Sequence, residues 1–131
     1  MSILYRWFEE VWNQGRESAI DEMACRDVPG HGLQGPDGVE VNGMESFRAY
    51  HRQMCAALSD IHVTVEDVVT EGDLTVARCT VRARHTGEGL GKPPKGNPIE
   101  FKGMTMVRIK DGKIAEAWNN YDFMAMFQQM E

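Results

Sequence analysis

The sequence has few cysteines, no long apolar run and little positive charge, and each of these absences excludes a class of protein. Its three cysteines, Cys25, Cys55 and Cys79, are widely spaced and form no CxxC pair, which argues against a disulfide framework or a cysteine zinc site. The apolar runs are far shorter than the roughly 20 residues that span a bilayer, and no signal peptide pattern opens the chain. We therefore expect a cytoplasmic protein without a membrane partner.

Basic residues are also in the minority. The chain carries 20 acidic and 14 basic residues, which gives a formal net charge of -6. Binding to a phosphate backbone depends largely on clustered lysine and arginine. A nucleic acid partner is therefore not expected.

Motifs for metals and cofactors are missing as well. The four histidines His31, His51, His62 and His85 form no HxH or HExxH pair, so their spacing does not fit a metal site. No glycine-rich phosphate loop stands between a strand and a helix. We expect no metal and no cofactor, and interpret His51 and His62 as surface residues. Any catalysis would then be acid–base chemistry on a bound organic molecule.

What the sequence does contain is a block of helices followed by a block of strands. Apolar residues recur at helical spacing in the first part of the 131-residue chain, and alternate with polar residues in the second part. This order predicts an α+β fold in one domain, residues 1–131, with helices packed on one face of an antiparallel sheet. The predicted helices are 3–13, 19–25, 44–58 and 123–129, the predicted strands 61–65, 74–86, 99–110 and 113–121, and 28–43 is a loop.

Alternation along strand 74–86 predicts which face of the sheet is covered. Arg78, Arg82 and Arg84 share one face, which we expect to meet solvent or a partner subunit because unpaired charges are rarely buried. The other face carries Cys79, small apolar residues and then His85. Small side chains on a covered face leave space, so His85 is either a pocket residue or a histidine satisfied within the core.

The end of strand 113–121 is a second candidate. Trp118, Asn120 and Asp122 alternate along it, so they would line the same side of the strand end. A carboxylate against apolar walls can serve as a general base. The alternative is that Asp122 caps helix 123–129 by accepting hydrogen bonds from backbone N–H groups. The spacing leaves both interpretations open.

Several segments resemble one known family along nearly the whole chain. The segment from His85 to Gly96, HTGEGLGKPPKG, resembles the HTGxxxGxPPTG signature of SnoaL-like polyketide cyclases. DGKIAEAW at 111–118, followed by Asp122, resembles the family's DGKIxExW…D ending. The first helix, WFEEVWN at 7–13, and His31, which opens the first pocket loop, are also similar.

The resemblance implies a fold and an activity. The family has the nuclear transport factor 2-like cone, a strongly curved antiparallel sheet sealed by N-terminal helices around an apolar pocket. Its cyclases catalyse an intramolecular aldol condensation of a polyketide ester without a cofactor. Carried over to this sequence, Asp122 would be the general acid/base. Ketosteroid isomerase, a known example on a similar cone, also uses an aspartate base and an oxyanion hole.

Other residues receive supporting roles from the same resemblance. His85, as a second catalytic group, and His31 would donate hydrogen bonds to a developing enolate oxygen. Trp118 and Asn120 would shape and orient a small apolar organic substrate. Arg108 either reaches the cavity or faces solvent, and its parity leaves both open.

The resemblance leaves the activity itself open. Similar cones also serve as non-catalytic modules that bind small hydrophobic ligands, and an isomerase, hydrolase or dehydratase could use the same pocket. Because an open sheet with an arginine-bearing outer face can be covered by a second copy, we also expect a homodimer.

Overall fold

The structure is a computed structural model that describes residues 2–131. Three of its four α-helices precede the long strands, as the spacing of apolar residues predicts. Helix α1 is Ile3–Trp7, α2 is Ser18–Met23 and α3 is Met44–Ala57. A fourth short helix, α4, is Phe123–Gln128 at the end of the chain. In α1–α3 the apolar residues that recur at helical spacing are buried. Each of these helices therefore packs one apolar face against the sheet.

The first predicted helix changes type halfway. After α1 the chain continues as a π-helical segment, Phe8–Asn13. The Nε2 atom of His51 in α3 donates a hydrogen bond to the backbone carbonyl of Val11 in this segment, at 2.7 Å. His51 is buried, with 3% of its surface exposed. The interpretation of His51 as a surface residue was therefore wrong, because its ring satisfies a carbonyl in the interior.

Five strands form one curved, unclosed sheet in the order β1-β5-β4-β3-β2. The four long strands are antiparallel neighbours. The last three begin and end close to the predicted positions, whereas the first extends well beyond the predicted 61–65. All four are preceded by a two-residue strand inside the predicted loop, which pairs parallel to the last strand. The strands are β1 Gly30–His31, β2 Leu58–Glu71, β3 Leu74–His85, β4 Pro98–Lys110 and β5 Lys113–Tyr121.

A register shift in β5 decides which of its side chains face inward. Ile109 pairs with Ile114, but the preceding residue of β4, Arg108, pairs with Glu116. Ala115 is the extra residue of this bulge, and the alternation of side chains reverses behind it. Beyond the bulge, the inward residues are Ala117, Asn119 and Tyr121, and the outward ones are Glu116, Trp118 and Asn120.

The helices cover the inner face of the sheet and leave the outer face exposed. On β3, Cys79 and His85 are buried on the inner face, whereas Arg78, Arg82 and Arg84 are exposed on the outer one. The parity predicted for this strand is confirmed. In residues 2–131 no helix combines the length and the apolar character needed to cross a bilayer.

Candidate functional site

A cavity lies between the helices and the inner face of the sheet. The cavity has a volume of about 100 Å³. Its wall is mostly apolar, and helices, sheet and the residue that begins α4 all contribute. The aromatic residues of the wall are Trp7, Phe8, Trp12, Phe47, Tyr50, Phe101, Tyr121 and Phe123.

A short chain of polar side chains crosses this apolar wall. Thr105 of β4 and Asn119 of β5 are directly paired across the two strands. The Thr105 hydroxyl donates to Asn119 Oδ1 at 2.9 Å, and the Tyr121 hydroxyl lies 2.8 Å from the same Thr105 oxygen. The Asn119 amide nitrogen is 3.5 Å from the backbone carbonyl oxygen of His31. Three neutral polar groups are thus linked at one place in the wall.

The two cavity tyrosines are held in their neutral form. Burial raises the pKa of Tyr50 well above its ordinary value of about 10. Burial also raises the pKa of Tyr121, and the nearby Cys79 adds to the shift, while the hydrogen bond with Thr105 opposes it. Neutral tyrosines can offer and accept hydrogen bonds but do not act as bases near pH 7.

No carboxylate is among the described residues of the cavity wall. Of the described residues that line it, none is Asp, Glu, Lys or Arg. His31 belongs to the wall, but its ring lies on the other side of the sheet edge. It stacks on Trp118, with ring centroids 5.5 Å apart, and its Nε2 atom is 3.0 Å from Glu116 Oε2. Since Trp118 and Glu116 point outward, the imidazole of His31 is directed away from the cavity interior.

Asp122 is not brought to the cavity. Its side chain is exposed and accepts a hydrogen bond from the backbone N–H of Ala125 at 3.0 Å. It therefore caps α4, which is the alternative that the sequence left open. The carboxylate does not line the cavity in this structure, because the strand turns into the helix at this residue; its role as general acid/base stays a prediction.

The other candidate residues also lie away from the cavity wall. His85 points inward, as predicted, and is fully buried, yet it does not line the cavity; among the described residues neither ring nitrogen has a hydrogen-bond partner. Trp118 and Asn120 face outward, behind the β5 bulge. Arg108 also faces outward and forms an ion pair with Asp73, with N–O distances of 2.9 and 3.0 Å.

Thr105, Asn119 and Tyr121 were missed in the sequence. For Thr105 a signal was present on β4, where Phe101, Thr105 and Val107 share one parity and two of the three are strongly apolar. On β5 the parity was assigned without the bulge, so the substrate side was given to Trp118 and Asn120 and not to Asn119. Sequence alternation could thus have placed Thr105, but not the two residues of β5.

The comparisons with known proteins agree on one family. The family model of the SnoaL-like polyketide cyclases matches residues 2–130. The chain is 25% identical over 130 residues to the aklanonic acid methyl ester cyclase DauD of Streptomyces sp. (strain C5), a match that covers 97% of this chain and 79% of that protein. The cyclase DnrD of Streptomyces peucetius is also 25% identical, with 97% and 88% covered.

Solved structures give the same picture. TsrD from Streptomyces laurentii superposes with a TM-score of 0.83 at 28% identity, over 97% of this chain and 91% of that chain. IdmH from Streptomyces antibioticus has a TM-score of 0.82 at 30% identity, over 96% and 94% of the two chains. The fold expected from the sequence, a nuclear transport factor 2-like α+β cone, is confirmed.

Proposed function

This chain belongs to the SnoaL-like polyketide cyclase family, and from that premise we propose that it binds a small, largely apolar carbonyl compound of polyketide type and promotes its ring closure without a cofactor. The observation that carries the proposal is the cavity wall, which is rich in aromatic rings and holds only a few neutral polar groups. Such a wall favours an apolar ligand with a small number of oxygen atoms.

Confinement is the main contribution that this wall can make. A flexible chain with two carbonyl groups closes rarely in water because the reacting carbons seldom meet. Holding it folded in a cavity converts the encounter into a near-attack geometry, which can lower a barrier by roughly 7–11 kcal/mol in favourable cases. The relatives DauD and DnrD are cyclases of aklanonic acid methyl ester, which supports ring closure as the reaction class.

The proton steps in this proposal involve water rather than a side chain. A base from solvent removes a proton from the carbon beside one carbonyl, and the resulting enolate carbon attacks the second carbonyl of the same molecule. One carbon–carbon bond forms, the attacked C=O π bond opens, and the new alkoxide takes a proton from water. This route replaces the one expected for Asp122, since no carboxylate is among the described cavity-lining residues.

A second candidate is a carrier that binds the same compound without converting it. It is favoured by the same feature, the lack of an ionised acid or base among the described residues of the wall. The two candidates share the ligand and differ in whether product accumulates.

The experiment follows binding and ring closure separately. Binding is read from quenching of the cavity tryptophans Trp7 and Trp12 by aklanonic acid methyl ester and by a phenyl-substituted 1,5-diketone. Ring closure of both compounds is followed by absorbance against the rate in buffer. A cavity-filling variant, Ala117→Phe, and a variant outside the cavity, Asp122→Asn, are measured beside the wild type, with circular dichroism as the check on folding.

We expect the wild type to bind at least one compound and to close its ring faster than buffer does. Asp122→Asn should keep both properties, and Ala117→Phe should lose both. Binding without ring closure for either compound would support the carrier instead. If neither compound binds, or if a folded Ala117→Phe variant binds as well as the wild type, the cavity is not the site and the proposal fails.

A further inference from the structure

We propose that the side-chain amide of Asn119 is the hydrogen-bond donor that selects an acceptor oxygen, a carbonyl or the enolate oxygen derived from it, on the molecule bound in the cavity. The inference rests on the proposed function only in that a ligand enters the cavity. It adds which atom of the ligand is recognised, and by which residue.

The direction of each hydrogen bond among these polar side chains follows from the number of protons that each polar atom carries. The Asn119 Oδ1 atom can only accept, so the hydroxyl of Thr105 must donate to it across 2.9 Å. A threonine hydroxyl has a single proton, and this bond uses it. The hydroxyl of Tyr121, 2.8 Å from the Thr105 oxygen, must therefore be the donor in the second bond.

Of the protons carried by these three side chains, those of Asn119 remain available to a ligand. The hydroxyl protons of Tyr121 and Thr105 are both used in the hydrogen bonds among these three side chains. The Asn119 amide nitrogen carries two, of which one is directed at the carbonyl oxygen of His31 across a long 3.5 Å. Because Asn119 lines the cavity, its amide presents a donor to whatever occupies it.

The same hydrogen bonds also disfavour the reversed orientation of the amide. In the reversed orientation, Asn119 Oδ1 would face the carbonyl oxygen of His31, and two acceptors would be opposed. The Thr105 hydroxyl would then lose Oδ1 as its acceptor and would have to donate to the Tyr121 oxygen instead. Thr105 and Tyr121 are therefore positioning residues, which act on the ligand through Asn119.

An amide rather than a carboxylate at this position fits an oxygen-bearing, apolar ligand. A carboxylate would face both the His31 carbonyl and the oxygen of the ligand, and its charge would be costly in an apolar wall. A neutral donor in the same wall attracts a carbonyl oxygen and attracts an enolate oxygen more strongly, since hydrogen bonds to charged acceptors are the stronger ones. The recognised class is thus a ketone or ester oxygen on an apolar frame.

The test uses two ligands that differ in one oxygen, 1-tetralone and tetralin. Their affinities are measured by tryptophan quenching, and the carbonyl stretch of bound tetralone is measured by infrared difference spectroscopy. We expect the wild type to prefer tetralone by about threefold to tenfold, the usual net effect of one hydrogen bond. Its carbonyl stretch should lie at lower frequency when bound than in an apolar solvent.

Two variants of Asn119 remove the donor in different ways. Asn119→Leu should bind tetralin as the wild type does but lose the preference and the frequency shift. Asn119→Asp replaces the donor by an acceptor, so it should bind tetralone no better than tetralin, and it provides the same test if the leucine variant does not fold.

The positioning role has its own pair of variants. Thr105→Val keeps the shape of the side chain but releases the amide, so the preference should fall and the carbonyl band should broaden. Thr105→Ser restores the hydroxyl and should restore both. A purely structural role of Thr105 would change stability without changing the band.

Three outcomes would overturn the inference. A preference that persists in both Asn119 variants would assign the donor to another group. Equal affinity of the wild type for the two ligands would show that no donor selects the oxygen, while the apolar cavity of the proposed function stands. If neither ligand binds the wild type, the proposed function fails and the donor role fails with it.

Discussion

At Asp122, one side-chain oxygen accepts the backbone N–H of Ala125 at the start of α4, and the carboxylate is exposed. Asp122→Ala removes this cap, so we expect a loss of about 1 kcal/mol in the free energy of unfolding, as is typical for helix caps. Asp122→Asn should lose much less, because asparagine caps helices nearly as well. Urea denaturation of both variants measures the difference.

The same pair of variants separates capping from catalysis. We expect ring closure per folded molecule to be unchanged in both, since Asp122 does not line the cavity. A stable Asp122→Asn variant without turnover would contradict this prediction and would return the role of general base to Asp122.

The candidate residues on β3 and β5 show where sequence alternation is sufficient to predict which side chains face inward. On β3, which pairs with β4 in continuous register, it placed the arginines outward and His85 inward correctly. On β5 it failed, because the bulge after Ile114 inserts one residue and reverses every side chain behind it. A bulge has no strong sequence signal, so Asn119 and Tyr121 could be identified only from the structure.

Two elements escaped prediction for similar physical reasons. The π-helical segment, Phe8–Asn13, has nearly the same spacing of apolar residues as an α-helix, so periodicity cannot distinguish them. Strand β1, Gly30–His31, has two residues within a segment rich in glycine and proline, and forms because β5 offers it a parallel edge. Helices and strands of ordinary length were predicted to within a few residues, apart from β2, Leu58–Glu71, which extends well beyond the predicted 61–65.

A glycine on β4 makes room for the polar chain of the cavity. Gly103 pairs with Tyr121, and a Cβ atom at Gly103 would overlap the Tyr121 ring. The ring is therefore laid across the backbone of β4, which brings its hydroxyl to Thr105. Only glycine at position 103 allows this close approach.

We predict that Gly103→Ala displaces the Tyr121 ring. The extra methyl group should lower the free energy of unfolding by about 1–3 kcal/mol, as overpacking usually does, and should weaken the preference for tetralone over tetralin. Gly35→Ala is the matched control, since a Cβ there meets nothing closer than the Asp37 side chain at 3.4 Å. A Gly103→Ala variant with wild-type stability and preference would contradict this account of the ring.

At the scale of the whole molecule, the outer face of the sheet carries a stripe of apolar side chains that the helices do not cover. Val69, Val76, Met106 and Trp118 are successive partners across β2, β3, β4 and β5, and so form one line. Val69 is 67% exposed at one end, and His31 stacks on Trp118 at the other. Contiguous apolar surface of this kind commonly marks a contact with another protein.

We predict that a second copy of the chain covers this outer stripe, in a homodimer with twofold symmetry. A twofold axis through the middle of the stripe would pack Met106 of one copy near Met106 of the other, and would place exposed ion pairs such as Arg78–Asp67 around the contact. Light scattering after size exclusion should then give twice the chain mass of 14.8 kDa. Met106→Glu should give the monomer, because two carboxylates would meet at the axis. The control is Val39→Glu, which changes an exposed valine in the loop before α3 and should leave the dimer intact. A monomeric wild type at high concentration, or a dimer that survives Met106→Glu, would show that the stripe is not the contact between copies.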